Sequence, residues 1–267
     1  MPDAASAGAQ FATGNIAAAL EAATATVRRA PRDLAARVLL AELLVFDGNL
    51  ERADLILDAA ATADPTAGVV VAEFRQLLRA ETARRQLWRD GRVPNFLGEP
   101  PPALRAQLAA VVAWREGAAE EAAHHAAEAE AARPRVPGSM DGAAFDDMRD
   151  IDDLHAGFFE VLTTTGKYYW IPTERVATLE FRPPHRPRDL VWRRAAMSVL
   201  DGPDGEVYLP ALYTTGETGL TDALRLGRAT EWRDAGPGPV RGIGQRMFLI
   251  GNEASPIMSL AGLRFGP

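Results

Sequence analysis

The sequence predicts a chain in two parts. Residues 1–138 read as an all-α helical-repeat domain of the tetratricopeptide type, and residues 139–267 as a small α+β domain with a mostly antiparallel, curled sheet. Three observations carry this. A seventeen-residue step from glycine to proline occurs three times, at Gly14 to Pro31, Gly48 to Pro65 and Gly117 to Pro134, and Gly14 to Gly48 spans the 34 residues of the tetratricopeptide period. Small residues fall in phase inside each copy: Ala19 and Ala23, Ala53 and Ala60, then Ala122, Ala126 and Ala129. Beyond Pro134-Arg135-Val136-Pro137-Gly138 the texture changes to short apolar runs separated by turns.

Taken in order, residues 1–8 are small and polar, and a short helical lead runs to Gly14. A helix follows to Pro31, and Arg32-Asp33 opens the next, in which Val38, Leu39, Leu43 and Phe46 keep a helical period. Gly48-Asn49-Leu50 turns the chain into a helix that Pro65 stops. The stretch 69–90 predicts a longer helix without the repeat signature: Val70, Phe74, Leu77 and Leu78 form one stripe, with Glu81, Arg84 and Arg85 largely on another. The proline-rich 92–102 cannot continue it, and a last hairpin occupies 103–133. In the second half, Leu154, Phe158, Val161 and Leu162 have helical spacing and predict a helix over 152–165 with Gly166 at its stop. Strands are expected at 167–171, 177–182, 194–200, 206–210, 245–250 and 257–265, with Asp201 to Gly205 as a hairpin turn and Thr221 capping a short helix over 222–226.

Composition excludes several classes of function. The 267 residues contain no cysteine, so disulfides and thiolate chemistry are out. A net charge of −7, with 15 basic and 18 acidic residues before Ser139 and 14 and 18 after it, argues against nucleic-acid binding. No apolar run approaches the roughly 18 residues of a membrane span, and the first residues show no basic lead into an apolar segment.

Candidate chemistry is thin. His124 and Glu128 share a helix face with Glu120 and Glu121 one turn earlier, but there is no HxxxH pair, and a solvated polar face accounts for them. Asp141, Asp146, Asp147, Asp150, Asp152 and Asp153 lack the alternation of a calcium loop and read as acids preceding a helix. Gly236-Pro-Gly238 and Gly242-Ile-Gly244 complete no nucleotide-binding loop, and none of the five serines lies in GxSxG. Arg182, Arg186, Arg188, Arg193 and Arg194 around Trp192 form a basic stretch with Asp189 and prolines among them, which reads as an irregular, partly paired loop. No cofactor or metal is expected.

Several strings carry a resemblance. Lys167-Tyr168-Tyr169-Trp170-Ile171-Pro172 with Glu174-Arg175-Val176, Arg188-Asp189-Leu190-Val191-Trp192, Gly205 to Tyr213, Asp222-Ala-Leu-Arg225 onward to Trp232, and Gly244-Gln245-Arg246 are similar to the ImpE/TagJ (SciE-type) family. Upstream, Phe96 to Pro101 and Pro137 to Gly142 match as well; Thr173 and Thr214-Thr215-Gly216 depart from the pattern. The resemblance implies a non-catalytic, cytoplasmic adaptor of the bacterial type VI secretion system. It further implies binding to the N-terminal helix of the small contractile-sheath subunit and association with the sheath-recycling AAA+ ATPase. It assigns no catalytic residue.

Where a partner helix docks is a separate expectation. Aligning the turn glycines with tetratricopeptide repeats puts Val38, Glu42 and Val45 of one hairpin on the concave side, with Leu104, Gln107, Val111 and Trp114 of another. Helix 69–90 or the second domain filling that groove is the competing expectation. The alternative function is a small-ligand or enzymatic role centred on Tyr168, Tyr169, Trp170, Arg175, Asp222 and Arg225. A polar pocket there favours it, whereas a packed aromatic core favours the adaptor.

Overall fold

The computed structural model describes residues 6–63, 68–214, 216–234 and 236–266. Seven helices come first: α1 (Ala7–Thr13), α2 (Ile16–Arg29), α3 (Leu34–Phe46), α4 (Leu50–Ala63), α5 (Gly68–Asp90), α6 (Pro102–Arg115) and α7 (Ala119–Ala132). Asn15 and Asp33 cap α2 and α3 by accepting from the N–H groups of Ala18 and Ala36. Gly14, Gly48 and Gly117 make the interhelical turns at φ of 91°, 82° and 79°, which explains glycine at each. The in-phase alanines, from Ala19 to Ala129, are all buried. Regular tetratricopeptide stacking is nonetheless interrupted: α1 has 7 residues, and the 23-residue α5 stands between the hairpins. Pro65, the expected stop of α4, and the side chain of Val70 lie outside the described residues.

Thirteen strands among the described residues follow the prolines after α7. The main sheet has eight, in the order β2 (Ala143–Phe145), β1 (Gly138–Met140), β13 (Gly262–Phe265), β6 (Val176–Phe181), β7 (Trp192–Val199), β8 (Asp204–Pro210), β4 (Phe158–Thr163) and β5 (Tyr168–Pro172). Every pairing in it is antiparallel. It does not close into a barrel, since β2 and β5 remain edges. The β5 edge is covered: the Asn95 N–H donates to the Tyr168 carbonyl, and the Trp170 N–H donates to the Asn95 carbonyl. Two smaller sheets complete the fold, β9 (Thr230–Arg233) with β10 (Arg241–Gly244), and β3 (Met148–Asp150) with β11 (Met247–Ile250) and β12 (Glu253–Pro256). The short helix α8 (Asp222–Arg225) begins at Thr221, whose hydroxyl accepts from the Leu224 N–H.

Two expectations need correction. The helix over 152–165 is instead a turn-rich segment leading into β4. Phe158 and Leu162 pack toward the helices and Phe159 and Val161 into the opposite core, so an apolar run buried on both faces mimics helical spacing. With that helix goes the idea that the preceding acids complement its dipole. The last expected strand, 257–265, is a 3-10 turn (Ile257–Ser259) followed by β13.

One face of the main sheet lies on the helices. Phe74 and Leu77 of α5 share a core with Phe158, Trp170, Trp192 and Tyr208. The other face, with Phe159, Leu179, Met197 and Leu263, packs on Phe248 and Ile250 of β11. The run of seven helices ends at Ala132 and the sheet begins at Gly138, but the core runs across that junction.

Candidate functional site at the helix–sheet interface

Helix α5 turns its polar stripe toward the sheet, not toward water. Arg84 donates through Nε and Nη2 to the two carboxylate oxygens of Glu160 on β4, both at 3.0 Å, and also to the Leu212 carbonyl. Glu160 is wholly buried and further accepts from the Tyr168 hydroxyl and from Arg246. Burial alone would favour its neutral form, but Arg84 and Arg246 outweigh it and hold the carboxyl well below the usual range. The Tyr168 hydroxyl is pushed up by burial and by Glu160, and it accepts from the Trp170 indole N–H at 2.6 Å.

A second buried carboxylate, Asp152, completes the network. It accepts from Arg241 Nε at 2.9 Å, from the Gly242 N–H at 2.8 Å and from the Leu154 N–H at 2.9 Å. His155 Nδ1 lies 3.0 Å from Asp152 and Nε2 lies 3.5 Å from Glu160. Burial lowers the His155 affinity for a proton, yet Asp152 and Glu160 together more than compensate and the net direction is upward. Asp150 goes the other way: burial raises it despite Arg246, and the Tyr213 hydroxyl donates to it at 2.7 Å. The Arg241 guanidinium sits 4.6 Å from the Trp88 ring centre and 5.4 Å from that of Trp114, so β10 is gripped by α5 and α6 together.

The network resembles an active site in composition but not in availability. Its carboxylates face arginines and the histidine of the same network, and among the described residues no nucleophile, base and oxyanion donors converge on open space. Among the described residues, no three His, Cys, Asp or Glu side chains gather in metal-binding geometry. His124 and Glu128 form an exposed pair at 3.3 Å.

The helix ends are clamped by α8 and the turn after it. Asp222 accepts from the Ile16 N–H, a donor that the start of α2 would otherwise leave unsatisfied. Arg225 reaches the Phe46 carbonyl at the end of α3 and Asp47, while Arg228 donates to the Phe11 and Ala12 carbonyls at the end of α1. An acid at a helix start and arginines at helix ends complement the backbone dipoles. The double variant Asp222→Ala with Arg228→Ala is therefore expected to lose about 2 kcal/mol and to speed amide exchange in α1 and the first turn of α2. Unchanged exchange in those helices would remove the clamp.

The family strings thus serve architecture. Tyr168 and Trp170 are buried, with Trp170 stacked on Phe158 at 4.0 Å, and Tyr169 packs on the other core. Pro172 ends β5, and Arg175 donates to the Leu200 and Leu97 carbonyls. Asp189 accepts from the N–H groups of His185 and Arg186, and the Trp192 indole donates to Glu81 at 3.2 Å. Gln245 donates to the Gly227 carbonyl. The basic stretch divides: Arg182 and Arg194 pair with Glu206 on an exposed strand face, whereas Arg188 and Arg193 are buried.

Of the seven residues expected on an open concave face, Glu42, Val45, Leu104, Gln107 and Val111 are buried by the chain itself, and Val38 and Trp114 are half-buried. Val38 packs on the shared core, and Glu42, 3% exposed, lies 3.8 Å from Arg188. Leu104 and Val111 are buried, and Gln107 donates to the Asp153 carbonyl. Val45 and Trp114 line a cleft of about 830 Å³. It lies between the α3–α4 turn, the second half of α5, the end of α6 and the sheet-domain segments 212–225 and 241–244. Reasoning from sequence missed Glu160, Asp152, His155, Arg241 and Arg246. The one available signal was Glu160 interrupting an apolar run, Phe158-Phe159-Glu160-Val161-Leu162.

Comparisons with known proteins agree with this architecture. A family model described as the ImpE protein matches residues 142–264. The type VI secretion system accessory component TagJ of Pseudomonas aeruginosa is 31% identical over 254 residues, covering 95% of this chain and 89% of that protein. A crystal structure of a Vibrio parahaemolyticus protein superposes with a TM-score of 0.91 at 27% identity, over 98% of this chain and 97% of the other.

Proposed function

The chain belongs to the ImpE family, which includes the type VI secretion accessory component TagJ, and from that premise we propose that it is a non-catalytic adaptor of a type VI secretion system. Its partner in this reading is the N-terminal helix of the small contractile-sheath subunit, and it associates with the AAA+ ATPase that recycles contracted sheath. The observation that carries the accessory role is the 31% identity to TagJ along nearly the whole of both chains. The non-catalytic part is supported by the buried network, whose ionisable groups are paired with one another. Packed aromatic residues at Tyr168 and Trp170 favour the adaptor over a small-ligand role there. The adaptor works in the cytoplasm in this reading; no helix among the described residues is long and apolar enough to cross a membrane.

Purification of the full chain from a type VI-competent bacterium tests the assignment. The small sheath subunit should co-purify and be lost when its N-terminal helix is deleted. Failure to retain the subunit, or retention without that helix, would remove this partner.

A further inference from the structure

The buried network contains a histidine, the side chain whose charge ordinarily changes near neutral pH. His155 is wholly buried, and both of its ring nitrogens face carboxylates. Nδ1 meets Oδ1 of Asp152 in the same turn, and Nε2 points toward Oε2 of Glu160 on β4. Among the described residues, Asp152 is the hydrogen-bond partner of Nδ1, and Nε2 has none. A neutral imidazole carries one N–H and one lone pair, so either tautomer would turn its lone pair on an anion. Only the imidazolium presents an N–H to each carboxylate. Three aromatic rings hold the imidazole in this orientation: the ring centres of Trp88, Phe158 and Tyr213 lie 5.3, 5.9 and 5.9 Å from its own.

Charges from each packed element bear on that proton. Asp150 at the end of β3, Asp152 in the turn and Glu160 on β4 favour it. Arg84 of α5, Arg241 of β10 and Arg246 just before β11 oppose it, but each is itself bound to Glu160 or Asp152. Glu81 of α5 stands behind Arg84 at 3.5 Å. The Tyr168 and Tyr213 hydroxyls donate to Glu160 and Asp150. Burial works against the proton, and Asp152 with Glu160 outweighs it, so His155 keeps its proton to a higher pH than a free histidine does.

We propose that His155 is an imidazolium in the folded protein and that its proton locks the turn-rich segment 151–157 to β4 and, through Asp152, to β10. The reach of the lock follows from what else Asp152 holds. It accepts from the N–H groups of Leu154 and Gly242 and from Arg241, whose guanidinium lies over Trp88 of α5 and Trp114 of α6. Loss of the proton sets a lone pair against Glu160 or Asp152 and slackens the joint where α5, α6, β4 and β10 meet. The contribution to stability is complete below the free-histidine value of about 6.5, and it is lost as pH rises through the higher value of the folded chain. The lock does not depend on which partner the protein takes.

The chain has four histidines; His124 and His185 are exposed and His125 is half-buried. Replacing those three with glutamine leaves His155 as the single imidazole of a full-length chain whose buried network is untouched. Its NMR shifts are followed against pH, and amide exchange is read at the same pH values after correction for the intrinsic rate. The expected midpoint lies above about 6.5. As pH rises through it, the amides of Leu154 and Gly242 should lose about tenfold or more in protection relative to those of Leu179 and Met197 in the other core. A midpoint at or below about 6.5 would mean a neutral ring and would overturn the proposal. No step at Leu154 and Gly242, or an equal one at Leu179 and Met197, would overturn the lock, because the proton would then act on the whole fold or on nothing. His155→Gln, where it folds, should show no such step. A step that survives in this variant belongs to another group, and the assignment to His155 falls.

Discussion

Replacing Glu160 with glutamine is expected to destabilise the protein by about 3–5 kcal/mol, because it removes the anion from a buried ionic cluster while leaving the cations in place. The side chains of Arg84 and Arg246 are 4% and 2% exposed, and both donate to Glu160. Their remaining carboxylates are more distant: Glu81 lies 3.5 Å from Arg84, and Asp150 lies 3.5 Å from Arg246. Glutamine keeps the shape, so little of the loss comes from a cavity. It also offers an N–H₂ group where acceptors are needed. Urea unfolding measures the effect as a shift in midpoint at unchanged slope. A loss under about 1 kcal/mol would mean that water or rearrangement compensates the arginines. The cycle with Arg84→Met sharpens the reading. Arg84 is one of the stranded cations, so the double variant should lose less than the sum of the two single losses.

The position of Glu160 also explains what could be read from the sequence. Helices α2, α3, α4, α6 and α7 are legible because their alanine phasing, the Asp33 that opens α3, and their turn glycines are local signals. Strands β5, β6, β7 and β8 were legible because short apolar runs alternate with turns. Strand β4 was not, because Phe158, Phe159, Val161 and Leu162 are buried on two faces and a run of that kind has no distinctive period. Strand β10 was missed because Arg241-Gly-Ile-Gly looks like a loop until Trp88 and Trp114 enclose the arginine. The sequence sets Glu81, Arg84 and Arg85 of α5 largely on a stripe apart from the apolar one, and in the structure Glu81 and Arg84 meet the sheet. Charge on a helix marks a polar environment without saying whether water or another chain segment provides it. The concave-face expectation depended on that same ambiguity. Val38, Glu42 and Val111 do project from first helices of hairpins, but the second half of the chain occupies the space in front of them.

Glu42 gives the other large effect, and its sign is opposite. It sits on α3 against the 3-10 turn Pro187–Leu190, with Arg188 facing it at 3.8 Å and Arg186 and Asp189 as the more distant charges. Among the described residues its Oε1 has no hydrogen-bond donor and Arg188 Nε and Nη1 have no acceptor, and the Arg188 guanidinium lies 4.5 Å over the Phe74 ring. Burial pushes the carboxyl up from 4.5 to about 7, with Arg188 opposing only in part. The folded protein therefore holds a proton on Glu42 that the unfolded chain releases, and stability falls as pH rises from about 4.5 through about 7. The shift corresponds to about 3 kcal/mol as an upper figure, present as a penalty above pH 7 and absent below about 4.5. Glu42→Gln keeps the volume and removes the charge, so it should raise stability at pH 8 by up to about 3 kcal/mol and by little at pH 4.5. Urea midpoints of wild type and variant at the two pH values decide it. A variant less stable than wild type at pH 8 would mean that the Glu42–Arg188 pair is worth more than the desolvation of its carboxylate. The turn that carries Arg188 would then be held to α3 by charge and not in spite of it.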